Sequence, residues 1–169
     1  MIRKLGKKRP KIASSAFVSE SAYIVGSVEI GENSSIWPGA VLRADQFRIQ
    51  IGRNCNIQDN CVVHAGISDV IIGNNVTIGH GSVIHCAKIG DNVLVGMHTA
   101  LMNFSEIGDF CIIGAHSMVN DNFKVSAKSL VIGVPASIKR HLNPKEIERI
   151  ISASRIYVEL SREFKKQGV

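Results

Sequence analysis

The sequence predicts an all-β solenoid, a parallel β-helix of six-residue repeats, followed by a C-terminal α-helix. Three observations predict it. An aliphatic residue recurs at six-residue intervals, glycines and small residues hold fixed places between the recurrences, and the repeat stops where a helix-start signal begins. The series runs Ile12, Val18, Ile24, Ile30, Ile36 and Leu42, then Ile51, Ile57 and Val63, then Ile72, Ile78 and Ile84. It finishes with Ile89, Val95, Leu101, Ile107, Ile113, Val119, Val125 and Val131. Composition agrees: of 169 residues 45% are hydrophobic but only 5% aromatic, so the core must be assembled from aliphatic and small side chains in repeated units.

Residues 1–11 form a basic arm. Arg3, Lys4, Lys7, Lys8, Arg9 and Lys11 account for the whole formal charge of +6, and without them 14 cationic residues balance 14 acidic ones. A neutral body argues against nucleic acid as a partner, and the arm reads as a solvated tail. No apolar run reaches bilayer-spanning length and the N-terminus has no apolar signal core, so no membrane association and a cytoplasmic location are expected.

Residues 12–136 form the repeat. Glycine follows the aliphatic residue at Gly31, Gly52, Gly73, Gly79, Gly90, Gly96, Gly108 and Gly114, which suits a corner with unusual backbone angles. The place four after the aliphatic residue is small, and Cys55, Cys61 and Cys111 fall in it, so these thiols read as core fillers. With Cys86 they show neither a CxxC pair nor a disulfide framework. One hexad cannot bury its own aliphatic residue, so hexads wind into coils that stack on one another. The pattern resembles the hexapeptide-repeat family, which implies left-handed, triangular coils of three hexads, and between six and seven coils here. Residues 137–169 carry the helix, with Asn143 as N-cap, Pro144 at the first position and Glu146 closing a capping box. Ile147, Ile150, Ile151, Ser154, Val158, Leu160 and Phe164 form its apolar stripe, expected against the solenoid or a neighbouring subunit.

The register then places the histidines. With three hexads per coil, His64 and His85 lie one coil apart on one corner, about 4.8 Å from each other, close enough to share a metal. His80 belongs to a different corner and could join them only across the interface of a three-fold oligomer. Three imidazoles without a fourth protein ligand leave an open position, the arrangement of a catalytic zinc. His98, His116 and His141 read as solvated surface residues.

Arg43-Ala44-Asp45, Asn56-Ile57-Gln58-Asp59, His64, Thr77-Ile78-Gly79-His80, His85, the run Ile89 to Met97 and Ser129 to Ala136 together resemble the gamma-class carbonic anhydrases. The resemblance spans nearly the whole chain. It implies a homotrimer with zinc, or iron or cobalt, at each interface, and reversible hydration of carbon dioxide to bicarbonate. It makes His64, His80 and His85 the metal ligands, Gln58 the residue orienting water, Arg43 and Asp45 a pair knitting the interface, and Asn56 and Asp59 polar surroundings. Tyr157 falls where the family often places an active-site tyrosine. The long acidic loop with a proton-shuttling glutamate that the best-studied archaeal form of the family carries is reduced here to Ala65-Gly66-Ile67-Ser68-Asp69, Gln46 stands where that form has glutamate and Glu159 where it has asparagine, so slow hydration is expected. A hexapeptide acyltransferase or acyl-coenzyme A thioesterase, and a non-catalytic metal-binding or assembly protein, are the alternatives.

Overall fold

A computed structural model describes residues 1–168 as a left-handed parallel β-solenoid of about seven turns with a single C-terminal helix. Its cross-section is a triangle with three strand-bearing faces. Face A stacks Val62–His64, Val83–His85, Ala100–Leu101 and Met118–Val119 above the first halves of Tyr23–Ile30 and Val41–Ile51. Face B stacks Val70–Ile72, Lys88–Ile89, Glu106–Ile107 and Lys124–Val125 above the second halves of the same two strands, which run through the corner. Face C runs from Phe17–Val18 to Ser129–Gly133, and an antiparallel strand, Ala136–His141, ends it.

The recurring aliphatic residues become three interior columns. On face A, Ile24, Leu42, Val63, Ile84, Leu101 and Val119 pair coil upon coil, and only Ile12 and Val18, in the first coil, are less than fully buried among all the recurring positions. The long intervals after Leu42 and Val63 are absorbed as loops on the A–B corner, because pairing resumes in register at Gln50–Ile71 and Ile51–Ile72. The small slot is buried throughout, and its residues have a second job. Ser34, Cys55, Cys61, Ser82 and Thr99 each donate to the carbonyl of a corner glycine one coil on, at 2.7–3.1 Å. Burial pushes the Cys55 and Cys61 thiols up to about 12 and about 11, as expected of core fillers.

Two expectations are corrected. The glycines after the aliphatic residues are not the left-handed corners; that conformation falls two residues later, at Asn33, Asn54, Asn75 and Asn92 among others, with φ near 55°. Glycine is required for another reason: a Cβ on Gly52 would lie 2.4 Å from the carbonyl oxygen of Gly73 in the next coil. The basic arm is not a free tail. Ile2–Arg3 pairs in parallel with Ile24 and Val25, covering the open edge of the first coil, and Leu5 and Lys8 bridge to form a small turn.

The helix α1 spans Pro144–Gln167 with the expected capping box: Glu146 N–H donates to Asn143 Oδ1 at 3.0 Å, and Asn143 N–H donates to Glu146 Oε2 at 2.9 Å. It lies along face C of its own chain, where Trp37 meets Phe17, Tyr157 and Phe164 with ring centroids 5.1–5.5 Å apart. Ile151 and Leu160, expected in the packed stripe, are 48% and 39% exposed, and Tyr157 and Ser161 pack in their stead.

Candidate functional site

The solenoid gathers the expected site residues at two corners. On the A–B corner His85 pairs with His64 in register, as the spacing requires, and their ring centroids are 5.0 Å apart. Arg43 sits one coil below His64 and forms an ion pair with Asp45. Burial pushes the Asp45 carboxyl up, but hydrogen bonding from His64 and from its own turn, with the Arg43 guanidinium beside it, outweighs burial and holds it below the usual range.

The hydrogen-bond partners of the neutral rings favour one tautomer for each. The Arg43 guanidinium, which can only donate, lies 3.3 Å from His64 Nδ1, so that nitrogen carries the lone pair and Nε2–H faces Asp45 Oδ1 at 3.2 Å. Asn103 turns its amide nitrogen to the Asp121 carboxylate at 3.3 Å and its oxygen to His85 Nδ1 at 2.6 Å, which makes Nδ1 the donor and leaves the lone pair on Nε2. The two lone-pair nitrogens, His64 Nδ1 and His85 Nε2, then face each other at 3.1 Å. Two acceptors so placed repel unless a proton or a metal ion lies between them. Nitrogens bound at about 2.0–2.1 Å to one tetrahedral ion sit about 3.3 Å apart, so the pair fits such an ion.

The second cluster lies on face C and its corner with face A. Asp59 Oδ2 holds His80 Nδ1 at 2.8 Å, leaving His80 Nε2 free on a ring 44% exposed. Behind it runs a buried chain: Asn56 donates to Thr77 Oγ1 at 2.9 Å, Gln58 donates to Asn56 Oδ1 at 3.0 Å, and the His80 N–H donates to Gln58 Oε1 at 3.1 Å. Tyr157 stands over this cluster from α1. Burial first, and then the Asp59 carboxylate, raise its phenol above the usual range.

Within one chain, therefore, Arg43, Asp45, His64 and His85 form one half and Asn56, Gln58, Asp59, His80 and Tyr157 another. Among the described residues no group of three or more His, Cys, Asp or Glu side chains converges on one point. Face A lies between the halves, and its outward column is apolar: Tyr23, Val41, Val62, Val83, Ala100 and Met118, with Tyr23, Val62 and Val83 each 38% exposed.

Comparison with known proteins agrees with this architecture. A family model for the bacterial transferase hexapeptide (six repeats) matches residues 86–121, and one for the hexapeptide repeat of succinyl-transferase matches residues 69–101. A probable carbonic anhydrase of Methanocaldococcus jannaschii is 46% identical over 152 residues, covering 89% of this chain and 95% of that protein. This chain belongs to the gamma-carbonic-anhydrase-like hexapeptide-repeat proteins. Mitochondrial gamma carbonic anhydrase 2 of Arabidopsis thaliana is 35% identical over 163 residues; the alignment takes in 92% of this chain but only 58% of the plant protein. Among solved structures, that of a putative acetyltransferase from Bacillus cereus superposes with a TM-score of 0.97 at 35% identity, covering 98% of this chain and 97% of its own. The gamma-carbonic-anhydrase-like protein thus sits among relatives bearing two kinds of enzyme name.

Sequence reasoning missed Asn103, Asp121 and Lys8. The first two sit on the same corner, one and two coils above His85, each one residue past Met102 and Asn120, the positions that the His64–His85 register reaches. Lys8 was not legible, because no repeat links the arm to the loop it touches. Among the described residues no helix is long and apolar enough to cross a membrane.

Proposed function

We propose that His64 and His85 of one chain and His80 of a neighbour hold a zinc ion, or iron or cobalt in its place, and that the homotrimer so formed catalyses reversible hydration of carbon dioxide to bicarbonate. The observation that carries this reading is the 3.1 Å approach of two imidazole lone pairs whose outer nitrogens are tied to Asp45 and Asn103. Named carbonic anhydrases among the relatives support it. So does the apolar column of face A, which a second copy would cover in a head-to-tail ring, bringing the A–B corner of one chain to the C–A corner of the next.

A bound zinc supplies Lewis acidity, which brings the proton of a water within reach of neutral pH. The chain's own residues do the rest. Asp45, Asn103 and Asp59 each hold one imidazole in a single tautomer with its lone pair directed outward. Gln58, its amide anchored by Asn56 and by the His80 backbone, keeps one N–H to direct at an oxygen of the substrate. Arg43 and Asp45 lie at the rim where the neighbour's His80 would arrive. Proton departure is the weak step, because the short loop after His64 offers only Asp69, and that carboxylate is committed to Arg48 at 2.7 Å.

The test begins with metal content of protein purified without chelator, followed by carbon dioxide hydration. About one metal per chain and slow but measurable hydration are expected, and His85→Ala is expected to lose the metal while its circular dichroism stays that of the parent, since no core residue is touched. Full metal content in that variant would sink the reading. One observation favours a second reading, acyl transfer or thioester hydrolysis: a groove of about 410 Å³ between α1 and face C, lined by Gln58, Gly79, Gly96, Met97, Arg149 and Tyr157, is far larger than carbon dioxide needs. Turnover of acyl-coenzyme A by metal-free protein would favour it.

A further inference from the structure

The basic arm has no part in the reading above, yet it reaches the rim of the candidate site. Between Ala44 and Ile49 the long strand of coil two leaves the ladder: Gly26 pairs with Ala44, the next pair is Val28 with Ile49, and residues 45–48 bulge out at the A–B corner. The carbonyls of Asp45 and Gln46 therefore have no strand partner. Lys8 supplies one. Its ammonium donates to Asp45 O at 2.6 Å and to Gln46 O at 2.8 Å, crossing from the arm's turn to the loop.

The same loop presents the carboxylate that holds His64. Gln46 N–H donates to Asp45 Oδ1 at 3.1 Å, and that oxygen takes the His64 Nε2 proton at 3.2 Å. From above, the loop is tied by Arg48, which bonds Asp69 through its backbone N–H at 3.0 Å and its side chain at 2.7 Å. From below, Lys8 is the tie. The arm itself is fixed by its Ile2–Arg3 pairing and the Leu5–Lys8 bridge, so the lysine is delivered from an ordered platform.

We propose that the arm is a strap and that Lys8 is a positioning residue: by clamping the Asp45 and Gln46 carbonyls it holds the Asp45 carboxylate against His64 Nε2 and so keeps the His64 Nδ1 lone pair aimed at the shared metal. Lys8 touches neither the imidazoles nor the metal; it acts through Asp45. The inference rests on the three-histidine reading. It gives one of the arm's six cations a place at the site; Lys11 pairs with Glu29 at 3.0 Å on face B, and the other four are exposed.

The experiment loads the full-length protein with cobalt, whose visible absorption reports the ligand geometry, and follows its release to excess chelator. Lys8→Met keeps the stem and removes the donors; it is expected to speed release about tenfold, the low end for an outer partner of a metal-ligating histidine. The cobalt spectrum is expected to shift with it, because the loop that presents the Asp45 carboxylate to His64 loses its lower tie. Lys8→Arg, which keeps charge and donors, is expected to restore both. Lys7→Met removes a neighbouring charge that makes no bond to the loop and is expected to match the parent.

Release from Lys8→Met at the parental rate with an unchanged spectrum would overturn the strap while leaving the three-histidine reading in place. Equal acceleration in Lys8→Met and Lys7→Met would overturn it too, since arm charge alone would then explain the effect. A parent that takes up no cobalt would bring down the metal reading, and the strap with it.

Discussion

At the scale of single residues, the small slot after each aliphatic position explains why serine, threonine and cysteine recur where alanine would fill the same volume. The donor caps a corner carbonyl that the next coil leaves without a partner, and in an interior this dry an uncapped carbonyl is costly. Ser82 is the clearest case: its hydroxyl donates to Gly96 O at 3.0 Å and accepts from Thr99 N–H at 3.2 Å. Ser82→Ala is expected to destabilise by about 1–3 kcal/mol, and Ser82→Cys, which keeps a donor as Cys55 and Cys61 do, by clearly less. Urea unfolding midpoints compare the two; equal losses would show that volume and not bonding sets the slot. The sequence displayed the slot but hid its bonding, because a small residue reads the same whether it fills or donates. The glycines misled for a similar reason. Their absent Cβ is visible in sequence, but whether the lack serves φ or a 2.4 Å approach to another backbone depends on which coil lies above.

At the scale of the elements, the residue just before each aliphatic position separates the three faces. Face A carries the apolar column from Tyr23 to Met118, face B a charged one that includes Lys11, Glu29, Lys88, Glu106 and Lys124, and face C a mixed one that α1 covers. These columns were legible once the period was known, and they distinguish a wet face from two that need cover. The helix start was legible from its capping residues, and its acid has a measurable consequence. Hydrogen bonds from Arg140, and then from the Asn143 N–H, hold the Glu146 carboxyl down to about 2 from an ordinary 4.5. An acid whose value is lower folded than unfolded stabilises fully above the unfolded value and loses that contribution as pH falls through the folded one. The stability advantage of the parent over Glu146→Gln is therefore expected to be whole above about pH 4.5 and to vanish between there and about pH 2. An advantage that persists below that window would assign the effect to packing. The arm, by contrast, was not legible: a run of cations looks the same free or laid on an edge, and only the exposed edge of the first coil decides it.

At the scale of the whole molecule, the division of the expected site between two corners followed from counting hexads, whereas the surface that would reunite the halves needed the outward columns. If face A is that surface, a charge in its middle must be stripped of water on assembly, at a cost of several kcal/mol. Val83→Asp is accordingly expected to sediment as a monomer and to carry little metal, while Lys88→Ala, on the charged face, keeps the parental assembly state. A Val83→Asp protein that still assembles would move the interface elsewhere. One further consequence belongs to α1. In a stack of coils each layer touches only its neighbours, so either end can fray without the other noticing. Here the last strand feeds a helix anchored to it through Arg140 and Glu146, and that helix runs back along face C until Lys165 meets the carbonyl of Ala16 at 3.0 Å. The path of contacts closes on itself like a buckled belt. Loosening the final coil is therefore expected to slacken the first, so that the two ends of the solenoid open together.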